Sequence, residues 1–127
     1  MPRADIRVLV VDDSEPFRAA LVELLELAEG YLLVGQAASG EESLEVSRSV
    51  APELVLMDLQ LPGMDGLAAA RRLRATALAP TVVLISTDVS GVDASALAGA
   101  GALTSRSKAQ VDLDWLAALR LWVPLHP

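Results

Sequence analysis

The chain has 127 residues, 53% of them hydrophobic, and carries a net charge of −7 from 17 acidic and 10 basic residues. This length suits a single domain that folds around its own core, and the acidic balance argues against direct binding of nucleic acid. The chain has no cysteine and one histidine, His126 near the C-terminus, so thiolate sites, histidine triads and zinc sites are not expected.

Five short apolar runs predict β-strands. They are rich in Val, Ile and Leu and hardly alternate with polar residues, which is typical of parallel strands covered on both faces. None approaches the ~18 apolar residues of a membrane span, and the N-terminus lacks a signal-peptide pattern, so we expect a cytoplasmic protein without membrane contact. The runs are Ile6–Val11, Tyr31–Ala37, Leu54–Met57, Val82–Ile85 and a weak one near Leu103.

Segments with helical spacing separate these runs. The first is expected to begin after Ser14 as N-cap, with Pro16 in its first turn, and to end at Gly30. Strict alternation of strands and helices predicts an α/β fold with a doubly wound parallel sheet of five strands and five helices. The four further helices are predicted at Glu41–Val50, Leu67–Arg74, Asp93–Ala100 and Leu113–Val123.

Polar residues follow four of the predicted strands. Asp12 and Asp13 follow the first, Asp58 the third and Ser86 the fourth, and Lys108 lies near the fifth. Sites in such sheets lie at the carboxyl ends of the strands, so we expect these side chains to converge. Lys108 is the only lysine beside nine arginines, which suggests a specific task for an ammonium group.

This set of side chains suits the chemistry of a phosphoryl group. Three clustered carboxylates repel one another unless a cation is present, and an all-oxygen ligand set favours Mg²⁺. One carboxylate can then act as a nucleophile toward phosphorus, while Ser86 and Lys108 could contact phosphoryl oxygens. The chain has no glycine-rich G-x-x-x-x-G-K-[ST] loop, so nucleotide binding by that route is excluded.

Three stretches make the chain similar to a known family. They are the strand Val8–Val11 with its two aspartates, the block Leu54–Gly66 (LVLMDLQLPGMDG) and the run Val83–Ser86. The chain resembles the receiver, or phosphoacceptor, domain of bacterial two-component response regulators, the CheY-like superfamily. The resemblance implies a flavodoxin-like sheet of order 2-1-3-4-5, and residues 1–127 are expected to form one receiver domain without an output domain.

The resemblance also implies roles for the site residues. Asp58 would accept a phosphoryl group from a sensor histidine kinase, a phosphotransfer protein or a small phosphodonor. Asp12, Asp13, Asp58 and the backbone carbonyl of Gln60 would hold Mg²⁺. The domain would then be a signalling module, with self-phosphorylation and autodephosphorylation as its only catalysis.

Ser86 and Lys108 match the family positions whose side chains contact the phosphoryl group. A competing alignment places Arg106 at the lysine position. We prefer Lys108, with Ala100-Gly101-Ala102 as the preceding turn, because the single lysine independently favours it.

The predicted fifth strand departs from the family pattern. Ser105 stands where an aromatic residue is usual, and Ala109 replaces the usual proline after the lysine. These departures keep a second hypothesis open, a degenerate pseudo-receiver that scaffolds partners without phosphorylation. A third, a Mg²⁺-dependent phosphatase, is opposed by Gln60, because the common aspartyl phosphatases carry a D-x-D motif there.

The predicted last helix is apolar nearly all round and carries both tryptophans. A helix that is apolar on two sides usually buries both, and tryptophan is enriched in interfaces. We therefore expect a homodimer or partner surface formed by Trp115, Leu119 and Trp122, although the tryptophans could equally belong to the core.

Overall fold

The computed structural model describes residues 4–124. Strands and helices alternate along this part of the chain, as the sequence predicts; His126 lies outside it. The strands are β1 (Ile6–Val11), β2 (Tyr31–Ala37), β3 (Leu54–Asp58), β4 (Thr81–Ser86) and β5 (Thr104–Ser107). The α-helices are α1 (Glu15–Leu27), α2 (Gly40–Val50), α3 (Gly66–Arg74), α4 (Ala94–Ala100) and α5 (Leu113–Leu119).

The five strands form one parallel sheet of order β2-β1-β3-β4-β5, which confirms the predicted fold. Successive residues of a strand face opposite sides of the sheet. Val8 and Val10 of β1 accordingly join a core cluster with residues of α1 and α5, whereas Leu9 and Val11 join a second cluster with residues of α3. Because helices cover both faces, the central strands need apolar side chains on both sides.

Each α-helix begins at a polar residue whose side chain accepts a hydrogen bond from the backbone N–H three residues later. This N-cap satisfies one of the donors that the first turn of a helix leaves unpaired. Ser14 begins α1 in this way, as predicted. The other caps are Ser39, Asp65, Asp93 and Asp112.

Two helices end earlier than the sequence analysis expects. The first ends at Leu27, and Gly30, with φ of +89°, forms the turn into β2 instead. The predicted last helix ends at Leu119 rather than Val123. Pro124 disfavours helical backbone at Val123, the residue before it. Bonds of the i→i−3 type replace helical bonds at Leu121 and Trp122, and both side chains are exposed.

The fifth strand is polar and lies at the sheet edge. It begins one residue after the predicted position Leu103, and Thr104 to Ser107 pair with Val83 to Ser86 of β4. The preceding helix α4 ends at Gly101 in the left-handed conformation, with φ of +70°. A short 3₁₀ turn, Lys108–Gln110, follows the strand.

Candidate functional site

Three aspartates meet at the carboxyl edge of the sheet. Strands β1 and β3 are neighbours with Val11 opposite Met57, so the residues that follow them are adjacent. One carboxylate oxygen from each of Asp12, Asp13 and Asp58 lies within 4.8 Å of the others. Asp12 and Asp58 are buried, at 1% and 5% exposure, whereas Asp13 is open to solvent.

Backbone donors orient the two buried carboxylates. Oδ1 of Asp12 accepts a hydrogen bond from the N–H of Ser14 at 2.8 Å, and Oδ1 of Asp58 accepts one from the N–H of Gln60 at 3.0 Å. The second oxygen of each group, Oδ2, faces Lys108. Two carboxylates are thus fixed by their own loops, each with one oxygen directed at a shared cation.

The structure places Lys108 in this cluster. Its Nζ lies 2.8 Å from Oδ2 of Asp12 and 3.5 Å from Oδ2 of Asp58. The competing residue, Arg106, points elsewhere, because its Nε donates to the carbonyl of Gln110 and its guanidinium lies 5.6 Å from the ring centroid of Trp115. The alignment that puts the lysine at the pocket therefore agrees with the geometry.

Burial and nearby charges shift the pKa of Asp58 and of Lys108. Burial raises the pKa of the Asp58 carboxyl above its ordinary value, and the charge of Asp12 adds to this, although the Gln60 N–H and Lys108 oppose it. Burial lowers the pKa of Lys108, but the hydrogen bond and charge of Asp12, with those of Asp58, outweigh it and raise the pKa overall. Lys108 therefore stays a cation at neutral pH.

Ser86 ends β4 at the same edge, one strand from Asp58. It is fully buried, and its Oγ accepts a hydrogen bond from the N–H of Asp88 at 3.4 Å. The loop after Asp58 is joined to the same strand, since the N–H of Leu59 donates to the carbonyl of Ile85 at 2.8 Å. Ser86 and Asp58 are thus held on adjoining backbone segments.

Gly66 allows the loop after Asp58 to close tightly. A Cβ at this position would lie 2.4 Å from the carbonyl oxygen of Asp58 and 2.7 Å from Cα of Leu59, both backbone atoms that cannot move aside cheaply. The sequence shows Gly66 only as part of the motif, so this steric role is seen only in the structure. Asp65 is the N-cap of α3, and its Oδ1 accepts a hydrogen bond from the N–H of Ala68 at 2.8 Å.

Phe17 is a second residue whose place at the site the sequence does not predict. It lies in α1, and its ring centroid lies 4.4 Å from Nζ of Lys108. The available signal was its position, four residues after Asp13 and therefore about one helical turn from the predicted site.

The residues present fit a divalent cation. The ligand set contains only oxygen, and the carboxylates are close enough to share one ion. The backbone of Gln60, whose carbonyl is predicted to complete the set, is tied to Asp58 through its N–H.

The three residues of the expected partner surface differ in their exposure. Leu119 is 4% exposed and belongs to the core, although it also lines the groove described below. Trp115 is half-buried, and Trp122 is 72% exposed in the turn after α5. Both tryptophans line an apolar groove together with Leu103 and Thr104 of the β5 edge.

A family model of the response regulator receiver domain matches residues 8–119. The chain belongs to this family. In the described part of the chain, no helix is long and apolar enough to cross a membrane.

Curated relatives are similar over the receiver region. The chain is 50% identical over 68 residues to the response regulator GacA of Pseudomonas viridiflava, an alignment covering 54% of this chain and 32% of the relative. It is 37% identical over 109 residues to protein-glutamate methylesterase/protein-glutamine glutaminase 4 of Myxococcus xanthus, covering 84% of this chain and 31% of the relative. The aligned segments therefore span about a third of the length of these relatives.

Solved structures share the fold. A two-component response regulator of the LuxR family from Aurantimonas sp. SI85-9A1 superposes with a TM-score of 0.85 at 28% identity, covering 94% of this chain and 86% of that chain. The response regulator domain of Thermotoga maritima CheB superposes with a TM-score of 0.82 at 25% identity, covering 97% and 99%.

Proposed function

We propose that this receiver domain accepts a phosphoryl group on Asp58 and thereby switches the binding of a partner or output module. The observation that carries the proposal is the contact of Lys108 with two buried carboxylates, because a cation beside an oriented carboxylate suits a group that arrives with negative charge. The donor would be a histidine kinase, a phosphotransfer protein or a small acyl phosphate.

The transfer is a nucleophilic displacement at phosphorus. A carboxylate oxygen of Asp58 forms the new bond, while the bond from phosphorus to the donor atom breaks and its electron pair leaves with the donor. Oδ1 is held by the Gln60 N–H at 3.0 Å, so we assign Oδ2, whose contact with Lys108 is longer at 3.5 Å, as the nucleophile. Lys108 would turn from Asp12 toward a phosphoryl oxygen, and the Ser86 hydroxyl would donate to another.

Asp12, Asp13, Asp58 and the Gln60 carbonyl would hold Mg²⁺, which would neutralise the clustered negative charge while the phosphoryl group is attached. Exposed Asp13 would be the entry ligand, because the other two carboxylates are buried. We expect Mg²⁺ at ten times its dissociation constant to stabilise the fold by about 1.4 kcal/mol, since the ion binds only the folded site.

The test is covalent labelling of the full chain with acetyl phosphate, with and without Mg²⁺, followed by intact mass. We expect one phosphoryl group per chain, dependent on Mg²⁺ and released by hydroxylamine, as is usual for an acyl phosphate. Asp58→Ala should abolish labelling. Asp114→Ala, which removes an exposed carboxylate from α5, serves as the matched control and should label normally.

Two results would overturn the proposal. A wild-type chain that does not label with acetyl phosphate or bind a beryllofluoride mimic would support the pseudo-receiver hypothesis. Labelling that persists in Asp58→Ala would place the acceptor elsewhere, and sustained turnover of a phosphoester substrate would support the phosphatase.

The groove beside α5 supports a second proposal, a homodimer or partner surface centred on Trp115 and Trp122. An aromatic side chain that is 72% exposed, next to an apolar groove, is a typical interface anchor. Light scattering at high concentration checks the homodimer, and a monomer under those conditions would count against it.

A further inference from the structure

We propose that Phe17 is a positioning residue for Lys108, whose ammonium it holds through the face of its ring. The inference rests on the proposed function for the role of Lys108 itself. It goes beyond that function by assigning a task to a residue of α1 that the phosphotransfer chemistry does not use.

The ring closes the remaining side of the ammonium group. Nζ carries three N–H donors and meets Oδ2 of Asp12 and Oδ2 of Asp58, with the ring centroid of Phe17 at 4.4 Å. A cation is attracted to an aromatic face when it lies within about 6 Å of the ring centroid, and this distance is well inside that limit. The lysine side chain is 18% exposed, so the contact is largely shielded from water.

The backbone around Phe17 fixes where the ring lies. Its N–H donates to Oγ of Ser14, the N-cap of α1, and Pro16 restricts the first turn just before it. The side chain is half-buried and packs against the core cluster that includes Leu21 and Leu25. The ring is thus supported from behind by the core.

Lys108 needs such support because its own backbone does little to restrict the position of its side chain. It begins a 3₁₀ turn that has no side-chain cap, at the end of a strand whose residues are all half exposed. Ala109 follows it and imposes none of the restriction that a proline would place on the lysine backbone.

An aromatic face has a specific advantage over another polar partner. A carboxylate or carbonyl would fix the ammonium in one direction, whereas the attraction of a ring face changes gently with position. Lys108 could move from Asp12 toward a phosphoryl group on Asp58 without leaving Phe17. A leucine of similar size would exclude water from the cation and offer no attraction in return.

The single lysine makes the contact directly measurable. Labelling with lysine enriched in ¹³C at Cε gives one lysine signal, that of Lys108, in the full unphosphorylated chain. Shielding by the ring should shift its ε-protons upfield. Phe17→Leu should remove the shift, and the matched variant Phe17→Tyr, which keeps the ring, should retain it. An ε-proton shift that is unchanged in Phe17→Leu would overturn the proposal.

The functional arm uses the same variants and the rate of labelling by acetyl phosphate. We expect Phe17→Leu to label about fivefold more slowly, as for loss of one cation–π contact, and Phe17→Tyr to restore the rate. In a Lys108→Ala background, Phe17→Leu should not change the rate of labelling by acetyl phosphate. It should not change the extent of beryllofluoride binding either. An equal loss in both backgrounds would show a structural role and overturn the proposal.

The two arms separate this inference from the proposed function. The upfield shift is measured without a phosphodonor, so it does not depend on whether Asp58 is the acceptor. A wild-type chain that shows the shift but never labels would overturn phosphorylation and leave the Phe17–Lys108 contact standing.

Discussion

Strands β3 and β4 are buried along their whole length, whereas every residue of β5 is half exposed. The two regions contribute different parts of the site. The buried centre supplies Asp58 and Ser86 from backbone held on both sides by neighbouring strands. The sheet edge supplies Lys108 from a turn with few constraints. Its side chain is positioned by Asp12 after β1, Asp58 of β3 and Phe17 of α1.

The difference indicates a division of labour. In the proposed function, Asp58 would gain from a rigid setting, because the oxygens of a nucleophile must keep their orientation. Lys108 would follow a charge that appears on phosphorylation, so its setting could be looser. We expect phosphorylation to shift the domain toward an arrangement that satisfies this charge. Because Ser105 provides no aromatic side chain to pack in that arrangement, we expect weak coupling between phosphorylation and partner binding.

The largest expected effect contrasts a core residue with an edge residue. Leu84→Ala in β4, where the side chain is fully buried, should lower the free energy of unfolding by about 3 kcal/mol through lost burial and a cavity. Leu103→Ala, next to β5 and 42% exposed, should cost less than about 1 kcal/mol. Urea unfolding of both variants checks the contrast, and equal losses would contradict it.

A smaller effect concerns the pH dependence of stability. The pKa of Asp58 is raised in the folded chain, chiefly by burial, so the folded state binds its proton more tightly than the unfolded state. Its contribution to stability is therefore complete below the ordinary pKa of an aspartate, about 3.9, and is lost as pH rises through the folded value.

Asp58→Asn should remove this dependence. With a chelator present, we expect the free energy of unfolding of the variant, relative to that of the wild type, to increase as pH rises from about 4. Asp114→Asn, at an exposed carboxylate, is the matched control and should follow the wild type. Parallel curves for wild type and Asp58→Asn would show that burial does not disfavour the charged carboxylate.

The smallest expected effect on stability concerns a contact beside β5, at the edge of the sheet. The guanidinium of Arg106 lies 5.6 Å from the ring centroid of Trp115, a distance at which partly exposed pairs contribute about 0.5–1 kcal/mol. Arg106→Ala should therefore lower the free energy of unfolding by about 0.5 kcal/mol without slowing the labelling of Asp58. Arg72→Ala, an exposed arginine on α3, should change neither, and a labelling defect in Arg106→Ala would connect this pair to the pocket.

The central strands and the first-turn caps were predictable because their signals are local. Val8 to Val11 and Leu54 to Met57 form unbroken apolar runs, and only a sheet covered on both faces buries them. The end of the last helix was not predictable from apolar pattern alone. Trp122 looks like a helical core residue, but Pro124 and the tight turn after Leu119 leave it exposed.

The sequence by itself determined the fold, the family and the set of polar residues at the strand ends, because apolar runs, N-caps and the LPGMDG block are signals carried by residues adjacent in the chain. Only the tertiary structure shows what surrounds the cation in the pocket. Lys108 and Arg106 are two residues apart and both basic, and the sequence favours Lys108 only because it is the single lysine. Arg106 lies near Trp115 of the next helix, whereas the partners of Lys108, Asp12 and Phe17, come from distant parts of the chain that only the closed sheet brings together.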